Sequence, residues 1–237
     1  GPSMRTIEAL RQEVLHANLE LVKRGLVVYT FGNASAVSRE ANRVVIKPSG
    51  VPYEEMTPAH MVVTDLDGRV VEGDLRPSSD LPTHIALSTA FPQIGGVAHT
   101  HSRHATAWAQ APRPIPCFGT TQADYFHGDV PVTGLLTDEE IRGDYEWNTG
   151  EAIVRLLKGR DPLACPAALV AGHAPFCWGK TVSDAVHAAV IVEELAAMAW
   201  QTITINPNAV PITAALRDKH HFRKHGPQAY YGQPDIK

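Results

Sequence analysis

From Ser183 to about Thr204 the chain is apolar on almost every side of a helix, interrupted chiefly by Asp184, Glu193 and Glu194. A helix hydrophobic all round has to be covered, so the rest of the chain must supply a layer broad enough to bury it. It is not read as a membrane span. The longest apolar run, Ala188 to Trp200, carries both glutamates and falls short of the roughly 18 residues a bilayer requires. Composition agrees with a large packed core. The 237 residues are 44% hydrophobic and only 19% charged, against about 25% in an ordinary domain. That excludes a disordered chain, a collagen and a coiled coil. A net charge of −4 argues against a general nucleic-acid binder, whose affinity comes from neutralising phosphates.

The segments available to cover that helix alternate in type. A first helix is predicted from Thr6 to about Arg24, with Ile7, Leu10, Val14, Ala17 and Leu21 at spacings of three and four and Gly25 placed to end it. Short β-type runs follow at Val27–Thr30, Ala34–Val37 and Arg43–Ile46. Met61–Thr64 and Arg69–Glu72 flank Asp67-Gly68, a two-residue hairpin signal. A strand is expected from Gly96 through His101, a helix from about His104 to Ala109, and a strand at Ala168–Ala171. Thr137-Asp-Glu-Glu140 is a capping box. Helices and hairpins so interleaved imply an α/β fold whose sheet is mixed or antiparallel, with helices on its faces. No repeat or linker divides the chain, so one domain over residues 4–237 is expected, with Gly1-Pro2-Ser3 read as a tag remnant. Three widely spaced cysteines, Cys117, Cys165 and Cys177, form no CxxC pair and fit a reducing, cytoplasmic setting, as inert core residues.

Chemistry concentrates in the twelve histidines. His99 and His101, two apart on an apparent strand, leave the same face, where two neutral imidazoles can share one metal ion. Asp80 and His173, each at the end of a strand or loop, are candidates for further ligands, and a histidine and carboxylate set suits zinc. Taken alone, an HxH pair is common, and His16, His60, His84, His104, His127, His187 and His221 read as surface or packing residues.

A series of short strings then adds to this reading. Gly32-Asn-Ala-Ser35, Ile46-Lys-Pro-Ser-Gly50, Pro77-Ser-Ser-Asp80, His99-Thr-His-Ser-Arg-His104, Gly119-Thr-Thr-Gln-Ala-Asp124, His173-Ala-Pro-Phe-Cys-Trp-Gly-Lys180 and Lys224-His-Gly-Pro-Gln-Ala-Tyr-Tyr231 occur in this order. Together they closely resemble the L-ribulose-5-phosphate 4-epimerases of the class II aldolase/epimerase superfamily, from about residue 7 to residue 233. The resemblance implies an αβα three-layer sandwich with a central, largely antiparallel sheet. It also implies a homotetramer with sites at subunit boundaries, acting on a small sugar phosphate and on neither nucleic acid nor membrane. One zinc ion per subunit is implied, with manganese or another divalent ion as substitute. Asp80, His99, His101 and His173 match the metal-ligand positions. Asp124 and Tyr231 match the acid/base pair. Asn33, Lys47, Ser49, Gly50, Ser78 and Ser79 match positions that hold phosphate and sugar, and Thr120, Glu146, His220 and Arg223 match further lining positions.

The reaction so implied interconverts L-ribulose 5-phosphate and D-xylulose 5-phosphate. The C4 hydrogen is not acidic, so inversion at C4 proceeds by breaking and remaking C3–C4, with zinc opposing the charge that develops on oxygen. A proton-transfer group is needed for the C4 hydroxyl of each epimer. The phosphate anchor holds the cleaved fragment while its aldehyde turns. The rival readings are an aldolase of the L-fuculose-1-phosphate type, which carries Glu where Asp80 stands, and a non-catalytic module like the adducin head. Two positions depart from the pattern: Gln122 where His is frequent, with an expected effect on Asp124, and Ala174 where Gly is usual. The residues do not choose among pentose routes such as L-arabinose catabolism.

Overall fold

A computed structural model describes residues 6–227 and 229. The expected tag remnant and Tyr231 lie outside the described residues. The first helix, α1 (Ile7–Lys23), begins where Thr6 Oγ1 accepts the Ala9 N–H at 3.0 Å. It ends in a Schellman cap: Gly25, at φ +72°, donates to Val22 O and Leu26 donates to Leu21 O, both at 3.0 Å. Leu10, Val14, Ala17 and Leu21 form its buried stripe.

The sheet contains β1 (Gly32–Ser38), β2 (Arg43–Ile46), β3 (Val62–Thr64), β4 (Val70–Glu72), β5 (Gly96–Thr100), β6 (Ala167–Leu169) and β7 (Pro175–Gly179). Their spatial order is β4-β3-β2-β1-β5-β7-β6 and every neighbouring pair is antiparallel. Between them come α2 (Leu81–Ala90), α3 (Arg103–Gln110), α4 (Thr120–Ala123), α5 (Asp138–Arg142) and α6 (Tyr145–Leu156), followed by α7 (Val182–Ile205) and α8 (Ala214–Lys224). The helices α1 and α7 cover one face, and α2 with α6 packed on it covers the other. Strand β2 shows the division. Val44 and Ile46 pack with Leu81 and Ile85 of α2, while Val45 joins the core on the α1 face. This is the αβα sandwich, with the sheet as its middle layer.

The N-terminus of α7 presses directly on the sheet. A Cβ at Gly96 would sit 2.3 Å from the Val182 Cα, and one at Gly179 would sit 2.6 Å from the Asp184 Cβ. Glycine at both positions is what allows this approach. The helix itself is buried on one side only. Val192, Leu195, Ala196 and Ala199 are covered, whereas Trp200 and Ile205 are exposed, so the expectation of full burial is corrected. It is long and apolar enough by composition to cross a membrane, yet it lies on β5, β7 and α1. Glu193 explains one of its charges: its carboxylate accepts the His104 and Ala105 N–H groups at 3.1 and 2.8 Å, capping α3.

Two local expectations fail. Val27–Thr30 is a loop rather than a strand; Tyr29 adopts φ +54° and stands 85% exposed, with Val28 and Phe31 also outside the core. The β3–β4 connection is longer than a two-residue turn. Asp65 pairs with Arg69 across it, and the Asp65 carboxylate accepts the Asp67 and Arg69 N–H groups, each at 2.9 Å. Gly68, at φ +86°, supplies the left-handed position that closes such a three-residue loop.

Candidate metal centre and active site

Sheet register builds the first half of the site. Asn33 on β1 pairs with His99 on β5, and His99 pairs in turn with Phe176 on β7. The three side chains therefore leave one face, and the His99 ring stacks on Phe176 with centroids 3.9 Å apart and planes 13° apart. Strand β5 ends at Thr100, so His101 lies just beyond it rather than on it. The two rings nevertheless meet, Nε2 to Nε2 at 3.2 Å. His173, in the turn before β7, completes the group, its ring centroid 5.1 Å from both others.

The nitrogens of His99, His101 and His173 lie within 4.8 Å of one another. Three donor atoms so close are suited to a single divalent ion. His99 Nδ1 donates to Pro175 O at 2.9 Å, which leaves Nε2 as a lone pair facing the cluster. His173 Nδ1 is buried without a hydrogen-bond partner, the kind of orphaned polar atom that a ligand would satisfy. Burial holds all three imidazoles below their ordinary pKa, His99 to about 3, and for His173 the neighbouring His101 adds to the effect. Neutral rings are the form that binds metal.

Asp80 stands at the edge of this group, its Oδ2 3.8 Å from His99 Nε2. It occupies the position before α2, but its side chain caps nothing; Oδ2 instead accepts from Asn33 Nδ2 at 2.7 Å. Burial pushes the Asp80 carboxyl up, and the electrostatic influence of His99 with the Asn33 bond outweighs it, leaving a net lowering. Beside it, two segments run antiparallel. Ser49 N–H donates to Arg76 O and Ser78 N–H donates to Lys47 O, both at 2.9 Å. Ser49, Gly50 and Ser79 are exposed at this rim and Ser78 is half-buried, while Gly50 takes φ +74°. Lys47 is buried with Nζ donating to the Gly32 and Thr30 carbonyls at 3.1 and 3.3 Å, over the Tyr53 ring. Burial draws its pKa down to about 8, offset in part by Asp80.

Asp124, Thr120, His220 and Arg223 form a second group, on α4 and α8. The Asp124 carboxylate meets His220 Nδ1 at 3.2 Å, Arg223 Nη2 at 3.2 Å and Lys224 Nζ at 3.9 Å. Burial would raise its pKa, but the Arg223 and His220 bonds hold it below the ordinary value. Thr120 opens α4, and its carbonyl accepts the Asp124 N–H. His221, read as a surface or packing residue, is buried, with Nδ1 3.1 Å from Ala123 O. The departure at Gln122 does not reach the Asp124 carboxylate: its amide donates to the Ile115 and Gly128 carbonyls. Glu146 lies in the first turn of α6, where its carbonyl accepts from Thr83 Oγ1.

Three neighbours of the site escaped the sequence reading. Tyr145 stacks toward His173 at 6.5 Å and Phe31 toward His101 at 6.1 Å. Neither belongs to any of the motifs singled out in the sequence. His84 is buried in the hydrogen-bond network around Asp80, and its spacing of four from Asp80 on one helix was the available clue.

Residues 12–200 match the family described as the Class II Aldolase and Adducin N-terminal domain. The chain belongs to this family. It is 56% identical over 227 residues to L-ribulose-5-phosphate 4-epimerase UlaF of Salmonella paratyphi A (strain ATCC 9150 / SARB42), covering 96% of this chain and 100% of that protein. The protein of the same name from Salmonella typhi is equally similar. Among solved structures, an L-fuculose 1-phosphate aldolase superposes with a TM-score of 0.77 at 26% identity, covering 93% of this chain and 97% of that one. The L-fuculose 1-phosphate aldolase from Glaciozyma antarctica PI12 shares the fold, with a TM-score of 0.76 at 19% identity over 98% and 89% of the two chains.

Proposed function

We propose that this protein is an L-ribulose-5-phosphate 4-epimerase, interconverting L-ribulose 5-phosphate and D-xylulose 5-phosphate by cleavage and re-formation of C3–C4. The observation that carries the reading is the convergence of His99, His101 and His173, with Asp80 beside them, in a chain 56% identical to epimerases of that name. Zinc is the ion proposed for these four residues. Bound there, it supplies positive charge against the negative charge that develops on oxygen as C3–C4 breaks.

The chain's own groups do the rest. Lys47 and the exposed turns at Ser49-Gly50 and Ser78-Ser79 offer a cation, hydroxyls and backbone N–H groups to a phosphate. Asn33 has one amide N–H beyond the one given to Asp80, available to a sugar oxygen. Asp124, kept ionised by Arg223 and His220, takes the C4 hydroxyl proton of one epimer, and Tyr231 serves the other from the opposite side. The electron pair of the C3–C4 bond goes to the three-carbon fragment. The two-carbon aldehyde, held by its phosphate, rotates and is attacked on its other face; the other member of the Asp124–Tyr231 pair gives a proton to the new C4 oxygen, and exchange with solvent resets both groups. Thr120, Glu146 and His220 line the same space. The proposal includes a cytoplasmic homotetramer, with sites completed between subunits, built from a single domain over residues 4–237.

An assay with L-ribulose 5-phosphate and zinc, reading D-xylulose 5-phosphate by a coupling enzyme and free glycolaldehyde phosphate alongside, tests this. Xylulose formation with little free aldehyde is expected. Steady accumulation of aldehyde would move the chain to the aldolases, the reading that the 26% identical L-fuculose 1-phosphate aldolase favours. A protein that neither binds zinc nor turns over would support a non-catalytic module.

A further inference from the structure

A continuous line of hydrogen bonds runs from the middle of the sheet to Asp80, and its direction can be worked out. Asn33 Nδ2 is 2.7 Å from Asp80 Oδ2. A carboxylate only accepts, so the amide must point its N–H there and its Oδ1 the other way. That Oδ1 lies 2.5 Å from His84 Nε2, which must therefore carry the proton. His84 is fully buried, with its Nδ1 2.6 Å from Ser35 Oγ; a ring that carries a single proton, on Nε2, has a lone pair there to accept from the hydroxyl. Every donor and acceptor along Ser35–His84–Asn33–Asp80 is thus matched in one sense only. The opposite sense would set the Asn33 carbonyl against the carboxylate.

We infer that His84 is a positioning residue for the metal centre, locking the Asn33 amide so that Asp80 Oδ2 is held in one orientation beside His99. The inference rests on the metal-site reading of Asp80 given above. The ring suits this task because it reaches from α2 to two side chains of one strand. It bonds Ser35 and Asn33, which share one face of β1, while its own backbone N–H donates to Asp80 O at 3.2 Å. Its edge also meets Phe176 at 6.3 Å, the ring on which His99 stacks. Outer hydrogen bonds of this kind tune a metal site through the orientation of its ligands. The Nε2 bond is the one aimed at the site, since it fixes the amide whose other end reaches Asp80.

The test titrates cobalt(II) into metal-free full-length protein and follows the cobalt absorption spectrum. His84→Leu should bind cobalt about 10–100-fold more weakly with an altered spectrum. His84→Gln, which keeps an N–H donor toward Asn33, should restore most of the affinity. In an Asp80→Ala background His84→Leu should cause no further loss, because its effect passes through that carboxylate. Where His84→Leu does not fold, Ser35→Ala serves, with an expected weakening of about fivefold. Unchanged affinity in His84→Leu or in its substitute, a glutamine variant as weak as the leucine one, or an undiminished loss in the Asp80→Ala background would overturn the inference alone. Failure of the unaltered protein to bind cobalt would overturn the metal-site reading and this inference together.

Discussion

The histidine triad and the Asp124 cluster are both polar groups in a protein with few charges, and they are assembled in opposite ways. The triad grows out of the sheet. Register across β1, β5 and β7 sets Asn33, His99 and Phe176 side by side, and burial keeps the imidazoles neutral. Asp124 sits at a joint between the four-residue α4 and the basic α8, where Arg223, His220 and Lys224 hold it charged. Ligands must be deprotonated before they hold an ion, imidazoles neutral and a carboxylate ionised. A proton carrier must instead change state during the reaction, and a carboxylate under adjustable cationic groups at a helix edge can do so. Each environment fits one of the two tasks and would serve the other poorly.

The widest gap between the regions should appear in His99→Asn. Loss of this proposed ligand should abolish stoichiometric metal binding, checked by elemental analysis, and cut turnover roughly 10³-fold, the rate equivalent of several kcal/mol of lost charge stabilisation. A smaller contrast concerns how tightly each region is built. Gly96→Ala would drive a methyl group into the Val182 backbone and should cost about 1–3 kcal/mol in denaturant unfolding. Gly119→Ala, at the start of α4 with open space around it, should stay within about 0.5 kcal/mol. Equal losses at the two positions would remove the mechanical half of the comparison.

Much of the sheet-built region was legible in the chain. The β-type runs at Arg43–Ile46 and Gly96–Thr100, the capping Thr6 and the closing Gly25 act locally, so their structure follows from neighbours in sequence. The HxH spacing pointed to His99 and His101 for a partly wrong reason, since His101 leaves the strand and returns by the turn after it. Val27–Thr30 misled because β-branched and aromatic residues favour strands, whereas among the described residues no strand pairs with this segment. His84 and His221 were read as packing or solvated residues, because what sets them apart is a partner 49 or 98 positions away. Tyr145 and Phe31 gave no sign at all, since stacking against a histidine leaves no periodicity.

The division of labour between the two regions is tested most directly by the zinc content of Asp124→Asn, measured on the same preparation as its turnover. The account predicts metal bound at the level of the unaltered protein, with turnover reduced about 10²–10⁴-fold, as for loss of a general base. Metal lost along with activity would place Asp124 in the ligand set and contradict the account.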